Sequence, residues 1–551
     1  MRAWTACLSW DARAIRASSA IATSPLGRRI AQHNPRAAAA RVGSSAMGEA
    51  EPGAARAPEP PAGAASDPHA WSRAVFLRLL GGIYLAAFVS LWVQVEGLIG
   101  SRGILPYGEL LELGRTRLGV SRYWVLPTVL WLGGGDAALH AVCGAGTVLA
   151  IVAMLGRARA LSMLALWALY LSLATVGEDF LSFQWDALLL EAGLLAVFLA
   201  PRGLVRARPG AAPALVVGLF RWLLFRLMFG SGVVKLRSGD PTWRSLTALQ
   251  YHYETQPLPT WIGYYAHHLP ARMHTVSCAI MFGIELGLPW LIWSPAAWRR
   301  MAAVGFVFLQ VLIALTGNYA FFNLLSVALC VFIAGPESLP ARWRRPPPAS
   351  GRADWFGPWP RPVLVPLAAV ILLVSGLEFT EATLGVGLPW PRPVIALARA
   401  VSPLRSIDSY GLFAVMTTTR PEIVLEGSDD GATWRAYDFR YKPGDAARRP
   451  GFVAPHQPRL DWQMWFAALG PCEQSPWLDR LFQRLLEGSP PVVGLLASNP
   501  FPSHPPRYLR ALLYDYHFTD LDTHRRTGEW WQRRLEGEFC PPVSRISPAP
   551  P

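Results

Sequence analysis

Between residues 74 and 377 the chain is a succession of apolar runs of membrane length, and nothing else in it limits the fold as strongly. A helix needs roughly 20 apolar residues to cross a bilayer core, and inside that core its backbone polar groups must be paired within the structure. About nine runs approach this rule: residues 74–95, 139–155, 161–176, 185–200, 214–236, 277–293, 301–316, 319–334 and 363–377. Several are short enough to be re-entrant or interfacial. The expected fold is mostly α, a polytopic membrane helix bundle of about nine spans followed by a β-rich exoplasmic C-terminal domain.

Charge usage agrees with this reading. Charged residues make up 16% of the chain, against about 25% in soluble domains. The net charge of +14 is almost wholly arginine, since Lys235 and Lys442 are the only lysines. These arginines are spread over many short loops and form no single patch, which argues against nucleic-acid binding. They fit the bias of membrane loops toward basic residues on the inner side. With the basic N-terminal segment inside, Arg157 and Arg159, then Arg202, Arg206 and Arg208, then Arg299 and Arg300, then Arg342, Arg344, Arg345, Arg352 and Arg361 all fall inside. The turns near Glu178–Asp179 and Gly317–Asn318 carry no cation and fall outside. An odd number of spans sends everything after residue 377 to the outer side.

The expected domains are a disordered extension at 1–70, a bundle at 71–385 with a large outer loop at 237–276, and a soluble exoplasmic domain at 403–543. The extension is rich in Ala, Pro, Arg and Gly, lacks an apolar signal core, and is read with Met47 as the functional start. In the C-terminal domain, residues 412–418, 422–426, 434–439 and 508–518 read as strands. Ser428-Asp429-Asp430-Gly431 supplies a hairpin turn between the second and third. Residues 460–469 and 477–486 read as helices, the latter closed by Gly488.

Candidate chemistry gathers in residues 220–270. The fifth span carries Arg221, Arg226 and Lys235, and charges at membrane depth mark function by default. The favoured reading is that they snorkel or pair with Asp186, Glu191 or Glu285 of neighbouring spans; the alternative is a charged cleft for a lipid or peptide group. The loop beyond holds His252, Tyr253, Glu254, Gln256, His267 and His268. Their spacing matches no metal pattern, and no catalytic set assembles around them. Gly230-Ser231-Gly232 lacks the frame of a hydrolase elbow and suits close helix packing. Trp261, Tyr264 and Tyr265 are expected at the headgroup level. Residues 459–466 join Arg459, Asp461 and Trp462 to other aromatics, either packing the domain onto the bundle or, less favoured, holding a client. Among six cysteines, Cys143 and Cys330 lie in apolar runs as buried thiols. Cys472 and Cys540 can pair in an oxidising compartment, although the unpaired reading is favoured. No metal or cofactor is called for.

Longer motifs carry a resemblance. Phe183-Gln184-Trp185-Asp186 with Leu190-Glu191, the run 221–228, the run 252–257, Tyr264 with His267-His268, and Gly317-Asn318-Tyr319 with Phe322-Asn323 resemble the lipase maturation factor family. So do Ser409-Tyr410-Gly411-Leu412-Phe413, Glu426-Gly427-Ser428, Tyr441-Lys442-Pro443-Gly444-Asp445 and the run 455–462. The resemblance covers about residues 71–542. It implies a multi-pass protein of the endoplasmic reticulum membrane, with a lumenal C-terminal domain, whose clients are secreted lipases. The arginine-rich composition also suits a GC-rich bacterial genome, in which case the outer side is periplasm and the membrane the plasma membrane. The expected function is non-enzymatic, chaperone-like maturation and assembly of client proteins. Arg221, Arg226, His252, Tyr253, Glu254, Gln256, His267, His268, Arg459, Asp461 and Trp462 are the candidate client-binding residues. The rival is an integral-membrane enzyme modifying proteins or lipids through His252 and Glu254. A transporter is the third reading, and no internal repeat supports it.

Overall fold

The computed structural model describes residues 67–545 except 68, 204–206, 209–210, 336–351, 354–356, 358 and 386. The expected N-terminal extension and the arginines at 206, 342, 344 and 345 lie outside the described residues. From Asp67 onward the chain is one compact unit.

Among the described residues six helices are long and apolar enough to cross a membrane: α1 (Ala70–Trp92), α2 (Gly135–Arg157), α5 (Ala214–Arg237), α6 (Ala271–Trp293), α7 (Ala296–Thr316) and α9 (Arg361–Leu384). Shorter apolar helices α3 (Ala160–Val176) and α8 (Phe322–Ala334), with α4 (Gln184–Leu199), complete the bundle. The helix α1 packs on α2 and α8, α3 on α4, α5 on α9 and α4, and α7 on α8. These helices are amphipathic in the reverse sense of a soluble bundle. On α7, Val304, Phe308, Val311 and Leu315 form an exposed apolar stripe at helical spacing, while Gln310 is buried. Gln310 accepts from Asn323 Nδ2 of α8 at 2.9 Å, so its polarity is satisfied between helices and the lipid-facing side stays apolar.

The connections fall on two faces. On one, Ala160 N donates to Pro201 O at 2.9 Å, Ala207–Arg208 pairs in parallel with Arg352–Ala353, and Ala212 N donates to Asp67 at 3.0 Å. On the other face lie the 178–183 turn, the 238–270 loop, the 317–319 turn and the C-terminal domain. Helix by helix the chain alternates between these faces.

The domain is a four-stranded antiparallel sheet in the order β2-β1-β3-β4. Its strands are β1 (Pro421–Ser428), β2 (Arg435–Tyr437), β3 (Tyr508–Phe518) and β4 (Trp531–Ser544). Helices α10 (Arg459–Ala468) and α11 (Pro476–Leu486) lie between β2 and β3, and Gly488 follows α11 with φ +67°. The expected strand at 412–418 does not form. Its polar groups are turned onto the bundle: Phe413 O accepts from the Trp243 indole at 3.0 Å, and Met416 N donates to Asp240 at 2.6 Å. Phe413 itself is left-handed, at φ +55°, which breaks an extended run. Strand β4 was not expected, because Arg533, Arg534, Pro541 and Pro542 mask its pattern; it is an edge strand, where charge and proline are tolerated. Cys472 and Cys540 form a disulfide tying the α10–α11 connection to β4, against the favoured unpaired reading. Cys143, Cys278 and Cys330 are buried free thiols.

Candidate functional site

The charged residues of α5 are all engaged. Arg226 pairs with Glu191 of α4 and donates to Asp408 O at 2.6 Å. The other Glu191 oxygen accepts from Tyr410 Oη at 2.7 Å. Lys235 Nζ lies 2.9 and 2.8 Å from the two oxygens of Glu285 on α6. Arg221 donates from Nε to Phe332 O of α8 at 3.1 Å. Pairing with Glu191 and Glu285 therefore holds as the sequence led one to expect. Asp186 has a different partner, from the far end of the chain. Arg459 of α10 grips it with Nη1 at 2.9 Å and Nη2 at 2.8 Å and donates to Phe180 O at 2.6 Å. Tyr170 also bonds Asp186. Both charges are 1% exposed. Burial alone would disfavour the guanidinium, yet Asp186 outweighs it and holds the Arg459 pKa above its ordinary value.

The loop is a set of short helices, Pro241–Arg244, Leu249–Thr255 and Trp261–His267, each with its polar groups aimed at the domain or at the 317–319 turn. Glu254 accepts from Phe518 N at 2.9 Å and from His517 Nδ1 at 2.9 Å, and lies 3.6 Å from His267. His517 Nε2 reaches Asp515 at 3.0 Å. Burial lowers the His517 pKa, but Glu254 and Asp515 outweigh it, so the net shift is upward. The His267 pKa moves down, mainly through burial. His252 is pushed down to about 4 by burial and the charge of Lys235. A neutral His252 Nε2 lies 3.2 Å from Tyr319 Oη, which donates to Gln256 Oε1 at 2.8 Å. Gln256 Nε2 then donates to Thr316 O at 2.8 Å. Gly317 is required here, since a Cβ on it would fall 1.9 Å from Gln256 Oε1.

Further fastenings run the length of this seam. Asn318 Oδ1 accepts from Val453 N and Ala454 N at 2.7 and 3.0 Å, and its Nδ2 donates to Gly451 O at 2.8 Å. Tyr264, expected at the headgroup level, is instead fully buried among Phe518, Trp530 and His268, and its hydroxyl donates to Thr519 O at 2.9 Å. His268 turns Nδ1 to Tyr264 O at 2.8 Å. Tyr253 is half-buried against the His274 ring at 5.7 Å. Trp462 packs on Trp185 and Phe183, with centroids at 4.8 and 5.7 Å. Asp461 instead fastens the domain to itself, accepting from Tyr441 N and Lys442 N at 2.8 and 2.9 Å.

Sequence reasoning missed Arg420, which is 0% exposed and donates to the carbonyls of Glu254, Gln256 and Pro257 and to Glu422 at 2.8 Å. Lys442 pairs with Glu422 at 2.8 Å. It also missed Gln94, which accepts from Arg459 N at 3.0 Å and donates to Gln457 O at 2.7 Å. Apart from Glu422, two residues from Arg420, and Ser90, four from Gln94, the partners are remote in sequence, so no local spacing signals what either residue fastens. Of the residues singled out, Arg226, His252, Glu254, Gln256, His267, Arg459 and Trp462 are brought to one seam between bundle and domain, Asp461 is bound within the domain, and Arg221 lies on the opposite face. Among the described residues no group of His, Cys, Asp and Glu has the geometry to hold a metal ion.

An outward apolar band around alternating helices, with a sheet domain fastened to one face by buried ion pairs, defines a multi-pass membrane protein. Two family models match the chain: the lipase maturation factor transmembrane domain over residues 71–339 and the lipase maturation factor C-terminal domain over residues 406–541. Human lipase maturation factor 2 is 36% identical over 595 residues, covering 86% of this chain and 83% of the relative. The rat protein of that name is 38% identical over 590 residues, with the same coverage. Bovine lipase maturation factor 1 is 34% identical over 506 residues, covering 86% of this chain and 89% of the relative. The chain belongs to the lipase maturation factor family. No solved structure matches it.

Proposed function

We propose that this chain is a non-enzymatic maturation factor of the endoplasmic reticulum membrane that helps secreted lipases fold and assemble, with its C-terminal domain in the lumen. One observation carries the reading: the motif residues that look chemical are engaged with one another across the seam. Arg226, Arg459 and Glu254 act as positioning groups that hold the domain and the 238–270 loop as one body. The disulfide between Cys472 and Cys540 supports an oxidising compartment for the domain. The basic loops on the opposite face support a cytosolic assignment for that face.

The outer surface of the same stretch is where a client is held. Tyr265 and Phe452 are 47% and 48% exposed, and Trp261 lies between them with ring centroids at 6.4 and 6.1 Å. Exposed aromatics on a rigid support suit an incompletely folded partner. In cells co-expressing a secreted lipase, Tyr265→Ala with Phe452→Ala is expected to lower client capture and active-lipase yield about tenfold, with the protein still folded. Unchanged capture would remove this surface from the proposal. Glu254→Gln separates the enzyme reading: total loss of lipase activation with client capture and domain docking intact would favour catalysis.

A further inference from the structure

On the domain face, two segments remote in sequence meet at the rim of the bundle. One is residues 113–132, which lead into α2; the other is the helix Arg392–Val401, which begins eight residues after α9 ends. The Trp124 indole donates to Ala400 O at 3.0 Å and joins them. Both are pinned to the same end of α3. Val129 N donates to Ser172 Oγ at 3.0 Å, and Thr175 Oγ1 donates to Pro127 O at 3.3 Å. Arg405, just past the helix, donates to Ala174 O and, at 3.3 Å, to Leu181 O. The two segments therefore stand at the level where α2, α3 and α9 leave the apolar band.

Their side chains do not suit water. Leu132, three residues before α2, is 92% exposed and Val120 83%, with Tyr123 and Trp124 exposed beside them. Along Arg392–Val401, Val394, Leu397, Ala398 and Val401 recur at i, i+3, i+4 and i+7, the spacing of one helix face, yet none of the 10 residues is buried. Arg392 and Arg399 occupy the opposite side and are exposed. Arg122 lies over the Tyr123 ring at 4.5 Å, and Arg122 and Arg115 lie over Trp131 at 5.5 and 5.8 Å. Residues 113–132 and 387–401 hold five arginines and no Asp or Glu; Arg115 reaches back to Glu112 at 3.0 Å. The bias that gathers arginine on the other face of the membrane does not account for them. A helix with one apolar and one basic side, next to Trp and Tyr, suits the headgroup boundary of a bilayer.

We propose that the two segments form an interfacial collar lying in the leaflet on the domain face. Val120, Leu132 and the apolar side of Arg392–Val401 sit among the upper acyl carbons, and the arginines engage phospholipid phosphates. The occupant is the bilayer and not a folded protein, because the patch runs on into the lipid-facing side of α2. There Ala137, Ala141, Ala145 and Val148 continue the exposed side at helical spacing, and the charge of the collar complements phosphate. The same connection carries the domain. Arg480 of α11 reaches Glu109 at 2.9 Å, and Arg484 and Ser489 donate to Gly103 O and Arg102 O at 2.9 and 2.7 Å. The collar thus sets the height of α11 above the membrane, independently of any client.

The test is electron paramagnetic resonance of full-length protein in phosphatidylcholine liposomes, with nitroxide labels on Leu132→Cys, Val394→Cys and, as an aqueous control, Leu535→Cys. Cys7, Cys143, Cys278 and Cys330 are each changed to Ala and the Cys472–Cys540 disulfide is kept. Leu535 is an exposed apolar residue of β4, away from the bundle. The expected result is that labels at 132 and 394 are more accessible to oxygen, which concentrates in lipid, than to a water-soluble nickel chelate, while the label at 535 shows the reverse. Arg392→Glu with Arg399→Glu should shift the label at 394 toward the value at 535 without moving the label at 132. The aqueous value at either 132 or 394 in the parent would overturn the collar. So would protection from both reagents with spin–spin broadening that disappears when protein is diluted in lipid, because a second copy of the chain would then cover the patch. No shift at 394 in the double Glu variant would overturn the role of the arginines. Each label reads its own segment, so a variant that fails to fold leaves the other able to refute the proposal.

Discussion

Removing Arg459 should undock the C-terminal domain. Its guanidinium makes two bonds to Asp186, at 2.9 and 2.8 Å, and one to Phe180 O at 2.6 Å, with both charges 1% exposed. Arg459→Met keeps most of the side chain's apolar length, so what is lost is charge. It leaves Asp186 buried with Tyr170 as its remaining side-chain partner. Breaking a buried pair by removing one partner costs ~3–5 kcal/mol, a shift of roughly a hundredfold to a few thousandfold in the docked-to-undocked ratio. Asp186→Asn should cost a comparable amount. The double variant should cost clearly less than the sum, because no uncompensated charge remains. Limited proteolysis of the 387–420 segment in purified full-length protein reads the undocked population, and tryptophan emission tracks Trp462 leaving Trp185 and Phe183. If Arg459→Met shifts the ratio by less than about tenfold, or if the double variant is fully additive, the pair is not what holds the domain, and the reasoning fails.

Acid should loosen the seam through His252. Its pKa is lowered to about 4 from an ordinary 6.5, so the unfolded chain binds the proton more readily, and stability is full above 6.5 and falls as pH drops toward 4, by ~3 kcal/mol at most. His252→Gln should flatten that acid limb in a pH series of thermal melts. His517 has the opposite sign. Its raised pKa makes its contribution complete below 6.5 and lost as pH rises through the folded value, so His517→Gln should destabilise below 6.5 and cease to matter above the folded value. The Cys472–Cys540 bridge spans 68 residues, and Cys472→Ser with Cys540→Ser should destabilise the domain by ~4 kcal/mol on a chain-entropy estimate, read by urea titration of the domain's near-ultraviolet circular dichroism. Single cysteines at Arg525 and Arg157, in a background lacking the native thiols, should label from opposite sides of sealed microsomes; labelling from one side would overturn the alternation of helices. Gly317→Ala should displace Gln256, whose Oε1 stands 1.9 Å from the new Cβ, and expose the 317–319 turn to protease.

What the sequence made legible follows from where each signal is encoded. A membrane helix declares itself in its own composition, so the runs containing Phe225, Phe306 and Ile371 were readable without knowing their neighbours. Strand β3 was readable for the same reason, since its period is local. The residues of the seam were visible as anomalies and illegible as a set. Asp186 looked like a partner for cations in the adjacent spans, and only the fold shows that Arg459, 273 residues away, claims it. Arg420 had only Glu422 beside it in sequence, and nothing there announced that it closes the carbonyls of Glu254, Gln256 and Pro257. Buried charge in a bilayer protein needs a partner wherever the chain brings one, and long-range pairing has no period. The physical consequence is directional. A chain whose charged motifs are engaged across a seam has fixed the placement of its domain on the bundle, and in the function proposed above the partner is therefore met by the aromatic surface that the same motifs hold outward.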